Sequence, residues 1–272
     1  MIRIESSANP RIKKAVRLRQ RSHRDASGLT LVEGYREIRC ALEQGHPVRE
    51  LYFCPDLFLG ENEPALIAKA TAVGAVPVEC VRRAFEKMSY RDRPDGLLAL
   101  APKVARDLSA IRLGTNAVVL VSESVEKPGN LGTMLRSADA AGAAAVVVCD
   151  PTTDINNPNV IRASLGTLFS VPVAETDASS ARAWLRANRL FVVAASPHAD
   201  TLYTDIALPP SVALVVGSEQ YGLAQDWLDE ADAVVKIPMF GRADSLNVAS
   251  SATLLLYEAV RQGGRRAATG NR

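Results

Sequence analysis

Three short stretches combine polar residues whose types and spacing could do chemistry, and each follows an apolar run typical of a strand. The first, "SVEKPGNLGTMLRSADAAGA", places Asn130 between Gly129 and Gly132 and continues into a segment of helical spacing. A Gly-containing turn at a helix N-terminus favours anions. The spacing is not G-x-G-x-x-G, so a dinucleotide loop is weakly supported and a tight strand-to-helix turn explains the glycines better. Arg136 argues for more, because its guanidinium could face the same crevice as Asn130.

The second stretch, "ALVVGSEQYGL", ends a strand in Gly217 and Ser218, which Glu219 follows. A small residue at a strand end lets a flat ligand approach the backbone, and Glu219 could orient a polar group or an arginine. Capping of the next helix by Ser218 or Glu219 is an equally good explanation of this stretch taken alone.

The third stretch, "VVKIPMFGRADSLNVASSATLLLYEA", leaves a strand through Ile237 and Met239 and enters a very apolar helical run. Ser245 is suited to cap that helix. A Ser245 cap would place Asn247 one turn inside a largely buried helix, where its amide needs partners. The pattern therefore predicts a site there.

The chain alternates strand-like and helical runs throughout, which predicts an α/β fold in two domains. A smaller α/β domain is expected over 1–101, a linker over 102–115 and a second domain over 116–264, with a flexible tail over 265–272. From residue 116 the strand-like runs are continuously Val-rich, which is typical of parallel strands covered on both faces. Ligands of such sheets bind beyond the carboxyl ends of the strands, where the three polar stretches fall.

Composition sets further bounds on the kind of protein. The net charge of +2 hides a basic arm between Arg3 and Arg24 that holds a single acid, Glu5. Such an arm is either a solvated helix face or a phosphate-binding segment. The four cysteines form no C-x-x-C pair, so no metal site is predicted. No apolar run has the length of a membrane span, and a cytoplasmic protein without a membrane partner is expected.

Taken together and in this order, the three stretches resemble the SpoU/TrmH family of RNA ribose 2′-O-methyltransferases in the knotted methyltransferase superfamily. The resemblance rests on Asn130-x-Gly132-x-x-x-Arg136, on Gly217-Ser218-Glu219 with Gly222, and on Ile237-Pro238-Met239 followed by Ser245-Leu246-Asn247-Val248. It covers residues 116–262 strongly. The N-terminal part is similar to the L30e-like substrate-binding domain of many members, and the whole pattern is closest to two-domain bacterial members assigned to ribosomal RNA.

The resemblance implies a deep trefoil knot in the C-terminal domain, a homodimer formed through that domain, and S-adenosylmethionine as methyl donor without a metal. The implied catalytic and positioning residues are Arg136, Asn130, Glu219, Ser245 and Asn247. The implied cofactor contacts are Ala195, Gly217, Ser218, Ile237, Met239, Ser245 and Leu246. The implied RNA contacts are Arg136, Arg162 from a neighbouring subunit, and the basic arm with Arg11, Lys13, Lys14, Arg17, Arg19, Arg21 and Arg24.

Three alternatives to ribosomal RNA methylation stay open at this point. Transfer RNA is the other substrate for the same chemistry. An NAD-linked or other nucleotide enzyme on a doubly wound sheet is supported only by Gly129 and Gly132 after a strand. A non-catalytic RNA-binding protein would use the first domain and the basic arm, but the complete set of polar residues argues against it. The residues do not indicate which nucleotide is modified, or whether the role is ribosome maturation or antibiotic resistance.

Overall fold

The structure is a computed structural model that describes residues 2–263, so the tail expected over 265–272 lies outside the described residues. Contacts divide the chain into two compact units. Unit 1 comprises Met1–Val104 and Asp154–Ser170, and unit 2 comprises Ala105–Thr153 and Val171–Arg272. This division assigns Asp154–Ser170 to unit 1, although the segment lies inside the range expected for the second domain. The domain boundaries themselves stay a prediction.

Unit 1 is built on a five-stranded mixed sheet with the order β1-β4-β3-β5-β2. Its strands are β1 (Ile2–Ile4), β2 (Leu29–Glu33), β3 (Glu50–Phe53), β4 (Val76–Cys80) and β5 (Leu97–Pro102). Its helices are α1 (Pro10–Arg17), α2 (Arg21–Ser27), α3 (Tyr35–Glu43), α4 (Glu63–Ala72), α5 (Arg82–Met88) and α7 (Pro158–Ala163), with a 3₁₀ turn at Pro55–Leu57. The alternation predicted from sequence is confirmed, and β1 is the strand that the pattern did not predict.

Helix α1 shows how the basic arm folds. Asn9 caps it by accepting a hydrogen bond from the Arg11 backbone N–H, and Pro10 occupies the first turn, where a missing donor costs nothing. Ile12 and Ala15 are fully buried in the apolar core of unit 1. The basic residues Lys13, Lys14 and Arg17 of the same helix consequently face solvent.

Unit 2 is built on a seven-stranded sheet with the order β10-β12-β9-β11-β6-β7-β8, and every strand pair in it is parallel. Its strands are β6 (Val118–Glu123), β7 (Ala145–Cys149), β8 (Val173–Thr176), β9 (Phe191–Ala195), β10 (Thr201–Leu202), β11 (Val212–Val216) and β12 (Ala233–Lys236). Its helices are α6 (Pro128–Ala141), α8 (Ala178–Ala187), α9 (Gln225–Glu230) and α10 (Val248–Gln262), with a 3₁₀ turn at Leu108–Ala110. The expected parallel sheet is confirmed.

Both faces of the unit 2 sheet are covered, as the continuous apolar runs predicted. Val119 and Val121 of β6 pack in a core with Leu185 of α8 and Trp227 of α9. Helix α10 packs against α6, β6 and β11. Strands β8 and β10 did not stand out in the sequence, because they are short and at least partly exposed.

Candidate functional site

The carboxyl ends of three neighbouring strands bring the predicted cofactor residues to one edge of the unit 2 sheet. Ala195 ends β9, Gly217 follows β11 and Ile237 follows β12, and these strands are adjacent in the order β12-β9-β11. All three residues are half-buried. The sheet thus juxtaposes chain segments far apart in sequence at the edge where parallel sheets bind ligands.

The loop after β11 is a tight turn with no room for a side chain at its first residue. Ser218 and Gly222 exchange backbone hydrogen bonds of 3.0 and 3.1 Å, and Gly222 adopts a φ of 69°. A Cβ placed on Gly217 would lie 2.2 Å from the backbone carbon and oxygen of Gly222. The turn itself therefore favours glycine at position 217. The next residue, Ser218, is buried.

The loop 237–246 forms no backbone–backbone hydrogen bonds within residues 2–263. Ile237 and Met239 are half-buried, whereas Ser245 is exposed and Leu246 is 38% exposed. Because unpaired backbone groups beside apolar side chains must bond to water or a ligand, this loop suits a ligand that is read through main-chain contacts.

Asn247, Asn130 and Glu219 form a directional chain of hydrogen bonds. The Asn247 amide donates from Nδ2 to Oδ1 of Asn130 over 3.1 Å, and Nδ2 of Asn130 donates to Oε1 of Glu219. The second carboxylate oxygen of Glu219, Oε2, is buried and has no partner among residues 2–263. One polar group from each of the three stretches is therefore held in one relay, and the buried oxygen at its acceptor end has no donor among the described residues.

Two sequence expectations about this region are wrong. Asn247 is not one turn inside α10: it is the exposed N-cap, whose Oδ1 accepts a 3.0 Å hydrogen bond from the Ala249 backbone N–H. Ser245 lies outside the helix and does not cap it. Gly129 and Gly132 do not form a turn before α6, because that helix begins at Pro128 and contains both. Asn130 therefore lies in the first turn of α6 and not in a loop before it.

Arg136 lies on α6 with its side chain exposed. No hydrogen bond or ion pair of its guanidinium is found within the described part of the chain. Its neighbour Ser137 instead faces α10 and shares a 2.7 Å hydrogen bond with Thr253. Arg136 is therefore a free cation on the helix that carries Asn130.

Glu123 is a supporting residue that the sequence analysis missed. It ends β6, is buried, and accepts hydrogen bonds from the Ala224 backbone N–H at 2.8 Å and from Nε1 of Trp227 at 2.9 Å. It therefore fixes the far end of the loop that begins at Gly217. The sequence does contain a signal for this residue, because Glu123 is an acid at the end of the apolar run "AVVLVSE".

Other chemistry is not supported in the described residues. No group of His, Cys, Asp and Glu that could hold a metal ion occurs among them. Burial raises the pKa of the Cys149 thiol at the end of β7, so this cysteine is a poor nucleophile. No helix within residues 2–263 is long and apolar enough to cross a membrane.

The basic arm divides into free and committed side chains. Lys13, Lys14 and Arg17 line a shallow depression of about 300 Å³ with His23. Arg11 is partly exposed and pairs with Glu50 at 2.8 Å, which raises the pKa of the guanidinium.

Two further arginines of the arm are held by backbone oxygens. The guanidinium of Arg19 donates to the carbonyls of Lys87 and Ser89. Arg24 is 2% exposed and bonded to Asp154, so the expectation that it contacts phosphates is wrong. Arg21 is exposed and lies 3.6 Å from a carboxylate oxygen of Asp25.

Arg162 is exposed on α7, which contacts β2 within unit 1. Its action on the site of a neighbouring subunit stays a prediction.

Unit 2 has a parallel sheet with a polar relay beyond the carboxyl ends of its strands, which is typical of ligand-binding α/β proteins. Unit 1 is a smaller α/β unit. Two family models match the chain: the SpoU rRNA Methylase family over residues 117–257 and the MRM3-like substrate binding domain over residues 9–99. The chain belongs to the SpoU rRNA methylase family, as its motifs indicated.

Relatives along nearly the whole chain agree with this membership. The 23S rRNA (uridine(2479)-2′-O)-methyltransferase of Streptomyces viridochromogenes is 33% identical over 264 residues, covering 93% of this chain and 90% of that protein. A solved RNA 2′-O ribose methyltransferase is 44% identical with a TM-score of 0.85, covering 96% of this chain and 99% of the other. The S-adenosylmethionine-bound rRNA methyltransferase of Sinorhizobium meliloti is 31% identical with a TM-score of 0.87, covering 95% and 97%.

Proposed function

We propose that this protein transfers a methyl group from S-adenosylmethionine to the ribose 2′-hydroxyl of a nucleotide in ribosomal RNA. The observation that carries the proposal is the relay from Asn247 through Asn130 to Glu219, which joins the three family motifs at the ligand edge of the sheet. The rRNA substrate is inferred from relatives named as 23S rRNA methyltransferases that cover more than nine tenths of this chain.

The residues present fit S-adenosylmethionine at the ends of β9, β11 and β12. The unpaired backbone of loop 237–246 and the close approach permitted by Gly217 would hold it largely through main-chain groups, with Ile237, Met239 and Leu246 against its apolar parts. When bound, the cofactor supplies a methyl group already activated on a sulfonium, so the transfer requires no metal. The task left to the protein is placing the hydroxyl in line, which in favourable cases is worth about 7–11 kcal/mol of barrier.

Arg136 acts as an electrostatic group rather than as a base. A guanidinium keeps its proton at neutral pH and therefore does not accept the hydroxyl proton. Its free guanidinium can hold the phosphate next to the target ribose and stabilise the negative charge that develops on the 2′-oxygen. The proton then passes to a phosphate oxygen or to solvent.

Glu219 positions the reacting groups through its free oxygen. A buried carboxylate oxygen without a hydrogen bond is costly, by about 1–3 kcal/mol or more. We infer that the Glu219 carboxylate turns when RNA binds, so that Oε2 becomes accessible and recovers that cost by accepting a hydrogen bond from the ribose hydroxyl or from Arg136. Asn130 and Asn247 keep the carboxylate oriented, and Ser245 is exposed in the loop next to them.

The assembly implied for this function is a homodimer through unit 2 with a trefoil-knotted chain, acting in the cytoplasm on rRNA. Support for the dimer comes from α10, which leaves Leu254 38% and Tyr257 49% exposed on a helix that is otherwise largely apolar. In unit 1, Lys13, Lys14 and Arg17 are the proposed contacts to RNA phosphates, and in unit 2 the proposed RNA contact is Arg136. Light scattering of the purified protein tests the dimer.

The test of function is incubation with radiolabelled S-adenosylmethionine and unmodified rRNA or tRNA, followed by nuclease digestion and nucleoside analysis. Label in a 2′-O-methylnucleoside of rRNA is expected. Label only in tRNA would move the assignment to the alternative substrate, and absence of cofactor binding would overturn the proposal.

Arg136→Lys should lose at least tenfold in turnover, because lysine lacks the bidentate fork of a guanidinium. Near-normal turnover of this variant would exclude a requirement for that fork.

A further inference from the structure

Two aromatic side chains stand almost entirely in solvent on the loops that border the proposed site. Phe240 is 96% exposed in the loop between β12 and α10, and Tyr221 is 79% exposed in the loop after β11. Both loops are anchored on Asn130, since Glu219 lies two residues before Tyr221 and Asn247 ends the loop of Phe240. The two aromatic rings are therefore carried on the two loops whose ends the relay joins.

Tyr221 is presented by a rigid turn. Its backbone N–H donates to Oγ of Ser218 over 3.0 Å, inside the turn closed by the Ser218 and Gly222 backbone bonds. The side chain itself makes no hydrogen bond within residues 2–263. The backbone of Tyr221 is thus fixed while its ring is exposed. Binding of a ligand to such a ring costs little backbone entropy.

The surroundings of the two rings favour a nucleic acid over a protein surface. Gln220 and Gly222 flank Tyr221, while Gly241 and Arg242 follow Phe240 and are exposed with it. A protein interface core is a contiguous apolar patch from which charged residues are depleted. Single aromatic rings separated by glycine and arginine are instead typical of surfaces on which unstacked bases rest.

We propose that Phe240 and Tyr221 are stacking platforms for the nucleobases next to the methylated ribose, so that this site selects RNA whose target region is single-stranded. The inference rests on the proposed methyl transfer and adds to it the form of RNA that is accepted. A base whose ribose is to be methylated must leave the helical stack, and an aromatic face replaces the lost stacking.

The test is the KM for an RNA fragment that the wild-type protein methylates, measured for substitutions at Phe240. Phe240→Ala should raise the KM about 5- to 150-fold, the range for loss of one stacked base. Phe240→Trp should keep a low KM, and the indole fluorescence of F240W should be quenched by the RNA. Phe240→Leu should resemble Phe240→Ala, because leucine retains apolar surface but has no π face. Tyr221→Ala and Tyr221→Phe make the same comparison at the second ring.

Controls separate stacking from folding, cofactor binding and association. The affinity of F240A for S-adenosylmethionine and its mass by light scattering should equal those of the wild type. A halved mass would overturn the inference by showing that Phe240 is buried against a second copy, and an F240L variant as effective as F240W would also overturn it. Wild-type protein that methylates no RNA would refute the proposed function itself, whereas active wild type with an unchanged F240A would refute only the stacking role.

Discussion

Asn247 has two roles in the structure, and substitution by aspartate should separate them. Its Oδ1 caps α10 at the Ala249 N–H, and its Nδ2 donates to Asn130. Asn247→Asp keeps an oxygen for the cap but replaces the donor by a second acceptor. Asn130 would then have to turn its amide to donate to residue 247, and its own oxygen would face the carboxylate of Glu219. No orientation of Asn130 satisfies both neighbours.

The two roles predict different magnitudes. Aspartate and asparagine cap helices about equally, so N247D should keep the contribution of the cap to the free energy of unfolding within about 0.5 kcal/mol. Asn247→Ala removes the cap and should cost about 1–2 kcal/mol. In both variants Asn130 is no longer oriented by residue 247, so its hydrogen bond to the Glu219 carboxylate is weakened. A hydrogen bond to a charged group is worth about 1.5–3 kcal/mol. Since about 1.4 kcal/mol is tenfold in rate, the kcat/KM of both variants should fall about 10- to 100-fold.

The measurements are urea unfolding and methyl transfer from labelled S-adenosylmethionine on the same preparations. The expected pattern is one in which N247D and N247A lose similar activity but N247A loses more stability, by the contribution of the cap. Asn247→Ser, which can cap but cannot donate an amide hydrogen bond in the same place, is the matched control and should behave as N247D. An N247D variant as active as the wild type would refute the relay, and activity that tracks stability across all three would reduce Asn247 to a cap.

Three further predictions test other parts of the structure. Arg24→Met leaves the Asp154 carboxylate buried without its cation and should lower the free energy of unfolding by about 3–5 kcal/mol. A double variant with apolar residues at positions 24 and 154 should recover most of that loss. Gly217→Ala places a Cβ 2.2 Å from the Gly222 backbone and should weaken S-adenosylmethionine binding at least tenfold in calorimetry; unchanged binding would show that the turn can relax. Lys14→Ala should lower the slope of log K for RNA against log salt by about 1 without changing cofactor affinity, and an unchanged slope would exclude a phosphate contact.

Much of the fold could be predicted because its signals are local. The runs that became β6, β7, β9 and β11 are almost continuously apolar, and burial on both faces of a parallel sheet requires that pattern. The same rule gave the location of the site, since polar residues that follow parallel strands must meet at one edge. Short β8 has two partly exposed residues and no such pattern.

The helix starts were harder to predict, because several residues in each stretch can serve as a cap. Ser245 and Asn247 are both good N-caps, and the structure uses Asn247 because its oxygen meets the Ala249 N–H while its nitrogen meets Asn130. The second contact is 117 residues distant in sequence and has no local signature. The Asn130 position was likewise assigned to a turn, although α6 begins at Pro128.

The arginines of the N-terminal arm show why charge counts alone misassign function. Arg17 and Arg24 are seven residues apart in a run that reads as uniformly basic, yet one is on the surface and the other is sealed against Asp154. Arg24 also donates from Nη1 to the carbonyls of Leu18 and Arg19, at 2.9 Å each, and so closes the end of α1. A guanidinium can do this because its planar array of donors bonds a carboxylate and two carbonyls at once, which an ammonium group does with less geometric definition. RNA affinity should therefore follow the exposed cations of the arm, and the loss of Arg24 should reduce binding only through unfolding of the helix that presents them.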